Sequence, residues 1–163
     1  IRLRDCDRQS SNRYSGIKGM NDKMLYNREA LIAIKKLGID FIFVFYGELD
    51  AQLAWQDGLP AVSPTNGALS FDPEWFEGSS AEKIYIPDIG EERAAIEDAG
   101  KHGTKGWVVH LPREASLKDY TDFRTKGKMN LNELIKDVLL PQIPILTFEE
   151  IEKTRRKCLI FQS

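Results

Sequence analysis

The sequence predicts an α/β fold: a compact parallel sheet of about four strands, flanked by helices. Three observations carry the prediction. Short β-prone apolar runs alternate with amphipathic runs, the order expected of β-α-β units. The run "DFIFVF" at 40–45 is apolar without alternation, as in a strand covered on both faces. Carboxylates recur just after the runs, where the carboxyl ends of parallel strands gather along one edge.

Along the chain, "IRLRD" is a short strand leading into a polar, Gly- and Ser-containing loop up to residue 23. "YNREALIAIKKLG" is a helix: Leu31, Ile34 and Leu37 keep helical spacing, Lys35 and Lys36 suit the negative end of its dipole, and Gly38 stops it. After the strand at 40–45, "DAQLAWQDG" is a short helix ending at Gly58. "PAVSP" is a second strand, and "TNGA" a turn exposing backbone N–H groups. "EKIYIPD" (82–88) is a third strand ending in an acid, "GEERAAIEDAGKHG" an amphipathic helix, and "KGWVVHLP" (105–112) a fourth strand. Phe43, Phe45, Trp55 and Trp107 are assigned to the core, Trp75 and Phe76 to core packing or a lid. The chain divides into a basic N-terminal segment with its leading helix (1–37), the sheet domain (38–127) and a C-terminal helical connector (128–163).

Composition narrows the classes. At 42% apolar and 29% charged residues, the chain has the balance of an ordinary globular protein. Its net charge of −2 advertises neither nucleic acid nor membrane, and no apolar run reaches spanning length. Cys6 and Cys158 lack CxxC spacing and a nearby histidine, and His102 and His110 lack ligand spacing, so no zinc site is expected. Two reduced thiols fit a cytoplasmic setting, although a disulfide is also open. Beginning on Ile1, the chain reads as a piece of something longer. The charge is uneven: residues 1–36 hold nine Lys or Arg against four acids, a local +5 that leaves −7 for the rest of a chain totalling −2. A basic arm on an acidic body suits contact with a nucleic-acid backbone, with Arg4, Arg8, Arg13, Lys18 and Lys23 as the contacts and Tyr14 for stacking. A solvated charged face is the plainer alternative.

The strand-end acids are Glu48 and Asp50, then Asp88, then Asp119 beside Lys118, with Asn66 in the intervening turn. Oxygen ligands converging from separate elements are what Mg2+ or Mn2+ needs in phosphate chemistry. Each has a structural alternative. Glu48 and Asp50 suit the N-terminus of the following helix, Lys118 and Asp119 suit a surface pair, and Asn66 with Gly67 suits a turn.

The order of these signals resembles a Toprim domain of the primase and primase-helicase type, the family of phage and mitochondrial replication proteins. The resemblance runs over residues 20 to 125 and rests on "MLYNREAL", "VFYGELDAQLAWQDGLPAVSPTNGA", "KIYIPDIGEERAA" and "VVHLPREASLKDYTDF", in family order and with family-like gaps. "MNLNELIKDVLLPQIPILTFEEI" resembles the connector toward a helicase domain. The resemblance implies a DNA-replication module with catalytic Glu48, Asp50 and Asp88, metal ligands Asp50, Asp88 and Asp119, and nucleic-acid contacts that include Asn66 and Lys118. It also implies a single-stranded DNA template, a helicase domain in the same longer chain, and a cytoplasmic or, in a eukaryote, mitochondrial setting.

Three departures separate the chain from the family's pattern, and two of them remove acids that its chemistry would use. The family's acid before the first glycine is Tyr46, the second acid of its DxD pair is Gly90, and the glycine after that pair is Arg93. With fewer carboxylates to offset metals and triphosphate, the expected Mg2+ or Mn2+ site is weak or absent and primer synthesis reduced or lost. On charge count alone, Tyr46→Glu with Gly90→Asp is expected to strengthen cation binding. The alternative reading is a non-catalytic spacer or interaction module of a replicative helicase. A Toprim nuclease would need the same missing acids, and the sequence holds no GxGxxG or GxxxxGK[ST] to support an unrelated nucleotide-binding domain.

Overall fold

The computed structural model describes residues 2–4, 14–16, 23–65, 67, 71–101, 106–113 and 116–127. The expectations placed on Arg8, Arg13, Lys18, Asn66, the cysteines, His102 and the connector 128–163 lie outside these residues. The chain is α/β, with a five-stranded, mostly parallel sheet.

Near the N-terminus, β1 (Arg2–Arg4) pairs antiparallel with β2 (Tyr14–Gly16), so the stretch expected as strand and loop holds a return strand. The main sheet contains β3 (Leu25–Tyr26), β4 (Phe41–Phe45), β5 (Ala61–Pro64), β6 (Glu82–Ile86) and β7 (Gly106–Val108). Their order is β3-β5-β4-β6-β7, with β3 antiparallel to β5 and the other pairs parallel. Helices α1 (Glu29–Leu37), α2 (Glu48–Gln56), α3 (Glu92–Gly100) and α4 (Tyr120–Thr125) complete the domain. Besides β2, the edge strand β3 and the helix α4 exceed the sequence expectation.

Strand parity explains the two cores. Phe41, Phe43 and Phe45 of β4, with Ile84 and Ile86 of β6, face α2 and α4, where Ala51, Ala54, Tyr120 and Phe123 receive them. Ile42, Val44, Tyr46 and Tyr85 face the other way, against Ala30 and Ile34 of α1 and Ala95 and Ala99 of α3. Small alanines on the helices let them sit close to a sheet carrying large side chains. Covering both faces explains why β4 is apolar at every position, and each such buried Phe or Ile contributes roughly 1.5–3 kcal/mol relative to exposure.

Local signals set the ends. Gly38 closes α1 in the left-handed region at φ 67, its N–H bonded to Ile34 O. Asn27 sits at φ 58 and donates from Nδ2 to Ala61 O at 2.9 Å, tying the entry of α1 to β5. A 3-10 turn at Pro73–Phe76 buries Phe76 and packs Trp75 against the core, so these aromatics serve packing. Trp107 departs from expectation: at 37% exposed on β7, it donates from Nε1 to Glu82 Oε2 at 3.1 Å. Trp55 is partly buried at the rim of the α1/α3 core.

Candidate functional site

The connections locate the site. From β4 the chain crosses by α2 to β5 on one side, and from β6 by α3 to β7 on the other. Right-handed crossovers in opposite directions put α2 and α3 on opposite faces and open a crevice between the carboxyl ends of β4 and β6. The last paired residues there are Phe45 and Ile86. The sequence after each carries acids: Glu48 and Asp50 follow β4, and Asp88 follows β6. A 2.7 Å bond from Ile89 N to Lys118 O then draws the segment before α4 onto the same edge.

Asp88 records the crowding. Burial, then the charges of Asp50, Glu91 and Asp119, push its carboxyl up to about 7, with Lys118 opposing. Asp50 is 6% exposed. Burial raises its pKa as well, against the lowering effect of two hydrogen bonds from Thr121, and Asp119 and Asp122 add to the rise. Asp50, Asp88, Asp119 and Lys118, predicted from separate motifs, are therefore brought within electrostatic reach of one another.

One oxygen each of Asp50 and Asp119 is held by donors of α4. Asp50 Oδ1 accepts from Thr121 N at 2.7 Å and from Thr121 Oγ1 at 2.6 Å. Asp119 caps α4, its Oδ1 accepting from Asp122 N at 2.8 Å, while Oδ2 lies 3.8 Å from Lys118 Nζ. Among the described residues, no three His, Cys, Asp or Glu side chains are grouped to hold a metal ion. As placed, the carboxylates do not fit a Mg2+ shell of converging oxygens. The capping expectation for Asp50 also changes: Gly47 is the N-cap of α2, without a side-chain cap bond, and Asp50 reaches across to α4. Glu48, half-buried, is the first residue of α2.

Tyr46 stands apart from the acids on the other face of the sheet. Its hydroxyl donates to Asp98 Oδ2 at 2.9 Å, and Lys101 Nζ donates to Asp98 Oδ1 at 2.7 Å. Burial, and then the Asp98 charge, push the Tyr46 phenol far above its usual value, so it stays protonated. A glutamate at 46 would meet the buried Asp98 carboxylate, already paired with Lys101, and not the acidic edge. Gly90 is equally unsuited to an acid, because its φ of 100 lies where side chains are strained. Restoring both acids is therefore not expected to strengthen cation binding.

The sequence reading missed Thr121, Asp98 and the clamp between α2 and α4. In that clamp Asp57 accepts from Arg124 Nε at 2.8 Å, Arg124 Nη2 at 3.1 Å and the Tyr120 hydroxyl at 3.0 Å. Only Thr121 carried a signal, as a hydroxyl two residues after Asp119 at a helix start. Of the residues expected to contact nucleic acid, Arg4 lies in β1 and Lys23 is exposed just before β3. Gly67 N donates to Pro64 O at 3.3 Å, so a turn does follow β5.

No family model, curated protein or solved structure matches the chain. Among the described residues, no helix is long and apolar enough to cross a membrane.

Proposed function

We propose that this chain is a Toprim-like module of DNA replication that binds single-stranded DNA or nucleotides and does not itself synthesise primers. The observation that carries the reading is the state of Asp50. It stands at the switch point of a parallel sheet, beside Asp88 and Asp119, yet its Oδ1 is filled by Thr121. Strand-end acids in this arrangement support the Toprim-like resemblance, and the committed oxygens argue against a nucleotidyl-transfer centre there. Template contact falls to the basic N-terminal arm, and a helicase domain in a longer chain is the proposed partner. The setting follows from that role: bacterial or phage-infected cytoplasm, or an organelle.

The same committed oxygens favour the second reading, a non-catalytic spacer beside a helicase. Incubating the chain with single-stranded template, nucleoside triphosphates and Mg2+ or Mn2+ tests the first part. No primer should form, and template-dependent synthesis would overturn the proposal. Fluorescence anisotropy with single-stranded DNA separates the two readings, because a pure spacer shows no binding even at low salt.

A further inference from the structure

We infer that Asp50 is the docking receptor for α4, so that protein donors hold the acidic edge together where the resemblance implies a cation. The inference deepens the proposed function by assigning the edge a structural task, and it rests on that reading only for what the cation would have been.

α4 spans six residues, Tyr120–Thr125, too short to persist as an isolated helix. Its existence depends on what it docks against. Two rings supply apolar contact: Tyr120 and Phe123 are 1% and 0% exposed. Register comes from α2, where Asp50 and Asp57 lie seven residues apart and so face the same way two turns apart. Asp57 holds the Tyr120 hydroxyl and the Arg124 guanidinium, and Asp50 holds the backbone N–H and hydroxyl of Thr121.

The Thr121 pair does for Asp50 what a metal would do: it supplies positive partial charge to a carboxylate that is 6% exposed. The backbone N–H belongs to the first turn of α4, which would otherwise leave that donor without a helical acceptor. One contact therefore satisfies a buried anion and an open helix end. Gly47 makes the packing possible, since a Cβ built there would stand 2.5 Å from Asp50 Oδ2.

Amide hydrogen exchange on the whole chain, by NMR, tests the inference. Thr121→Val should speed exchange of the Thr121, Phe123 and Lys126 amides by about tenfold or more, since a lost bond to a buried charge weighs more than a neutral one. Thr121→Ser, which keeps the hydroxyl, should retain most of the protection. Asp50→Asn should act like Thr121→Val, and the double variant should add little to either. Mn2+ titrated into the wild type should leave the amides of Asp50, Asp88 and Asp119 sharp at submillimolar concentration. Selective broadening of those three amides would show that the edge binds a cation and overturn the inference, as would unchanged exchange in Thr121→Val. Either outcome can occur with no primer made, so this inference can fail while the proposed function stands. Primer synthesis with the amides still sharp is the converse.

Discussion

The Tyr46 hydroxyl donates to Asp98 Oδ2 at 2.9 Å, joining the end of β4 to α3 on the face away from the acidic edge. Asp98 is 3% exposed, so the bond shields a buried carboxylate that Lys101 also contacts. Removing it by Tyr46→Phe should lower unfolding free energy by about 1.5–3 kcal/mol, the range for a hydrogen bond to a charged group. Tyr46→Glu should cost more, because it adds a carboxyl beside Asp98, and should not raise Mg2+ affinity. Urea denaturation and calorimetric titration check both. A glutamate variant as stable as wild type, or one that gains cation affinity, would contradict this placement.

The position of Tyr46 also shows where sequence reading stops. The succession of β-prone and helical runs was available from the residues, and the parallel sheet with acids at its carboxyl edge follows from it. What the two-residue period of a strand also implies, and motif matching hides, is that residue 46 shares a face with Ile42 and Val44, away from the helix that carries Glu48 and Asp50. Its partner Asp98 lies 52 positions away, and Asp57 and Arg124 are 67 apart. No local pattern marks such pairs. β3 escaped notice because two residues carry no periodicity, and α4 because its six residues owe their shape to docking.

Asp88 should make stability fall with pH. Its carboxyl rises from the usual 3.8 to about 7 in the folded chain. Below about pH 4 both folded and unfolded states hold the proton, so the group contributes nothing. Between there and about pH 7 the unfolded chain ionises first and binds fewer protons, so unfolding becomes progressively easier. Above about 7 the loss is complete. Asp88→Asn should therefore gain stability over wild type as pH rises across that window, and match it near pH 4. Urea midpoints at several pH values give the comparison, and a difference that does not change with pH would remove Asp88 from the crowded edge.

Gly47→Ala should destabilise through Asp50. The added methyl would sit 2.5 Å from Oδ2 of a carboxylate that Thr121 grips at 2.6 and 2.7 Å, so the carboxylate cannot turn aside without stretching those bonds. A cost of about 1–3 kcal/mol is expected for overpacking of this kind. In an Asp50→Ala background the same substitution should be nearly neutral, since the clash is gone. A double-mutant cycle measures this, and additive effects would mean that Gly47 is needed for another reason.

The basic arm makes the last prediction. Residues 1–36 carry +5 against −7 for the remainder, so single-stranded DNA should bind the arm while the body repels it. Affinity should be micromolar at low salt and lost near physiological ionic strength, because each phosphate contact releases counterions and weakens with added salt. Neutral replacement of Arg8, Arg13 and Lys18 removes three such contacts. At about 0.7 per contact for a single strand, the slope of log affinity against log salt should flatten by about 2. Neutral variants of Asp50, Asp88 and Asp119 should leave that slope unchanged, since these residues belong to the acidic edge and not to the arm. Anisotropy over a salt series reads both. If the triple variant keeps the full slope, or if wild type fails to bind at low salt, the arm is a solvated face and the spacer reading replaces the replication module that contacts DNA.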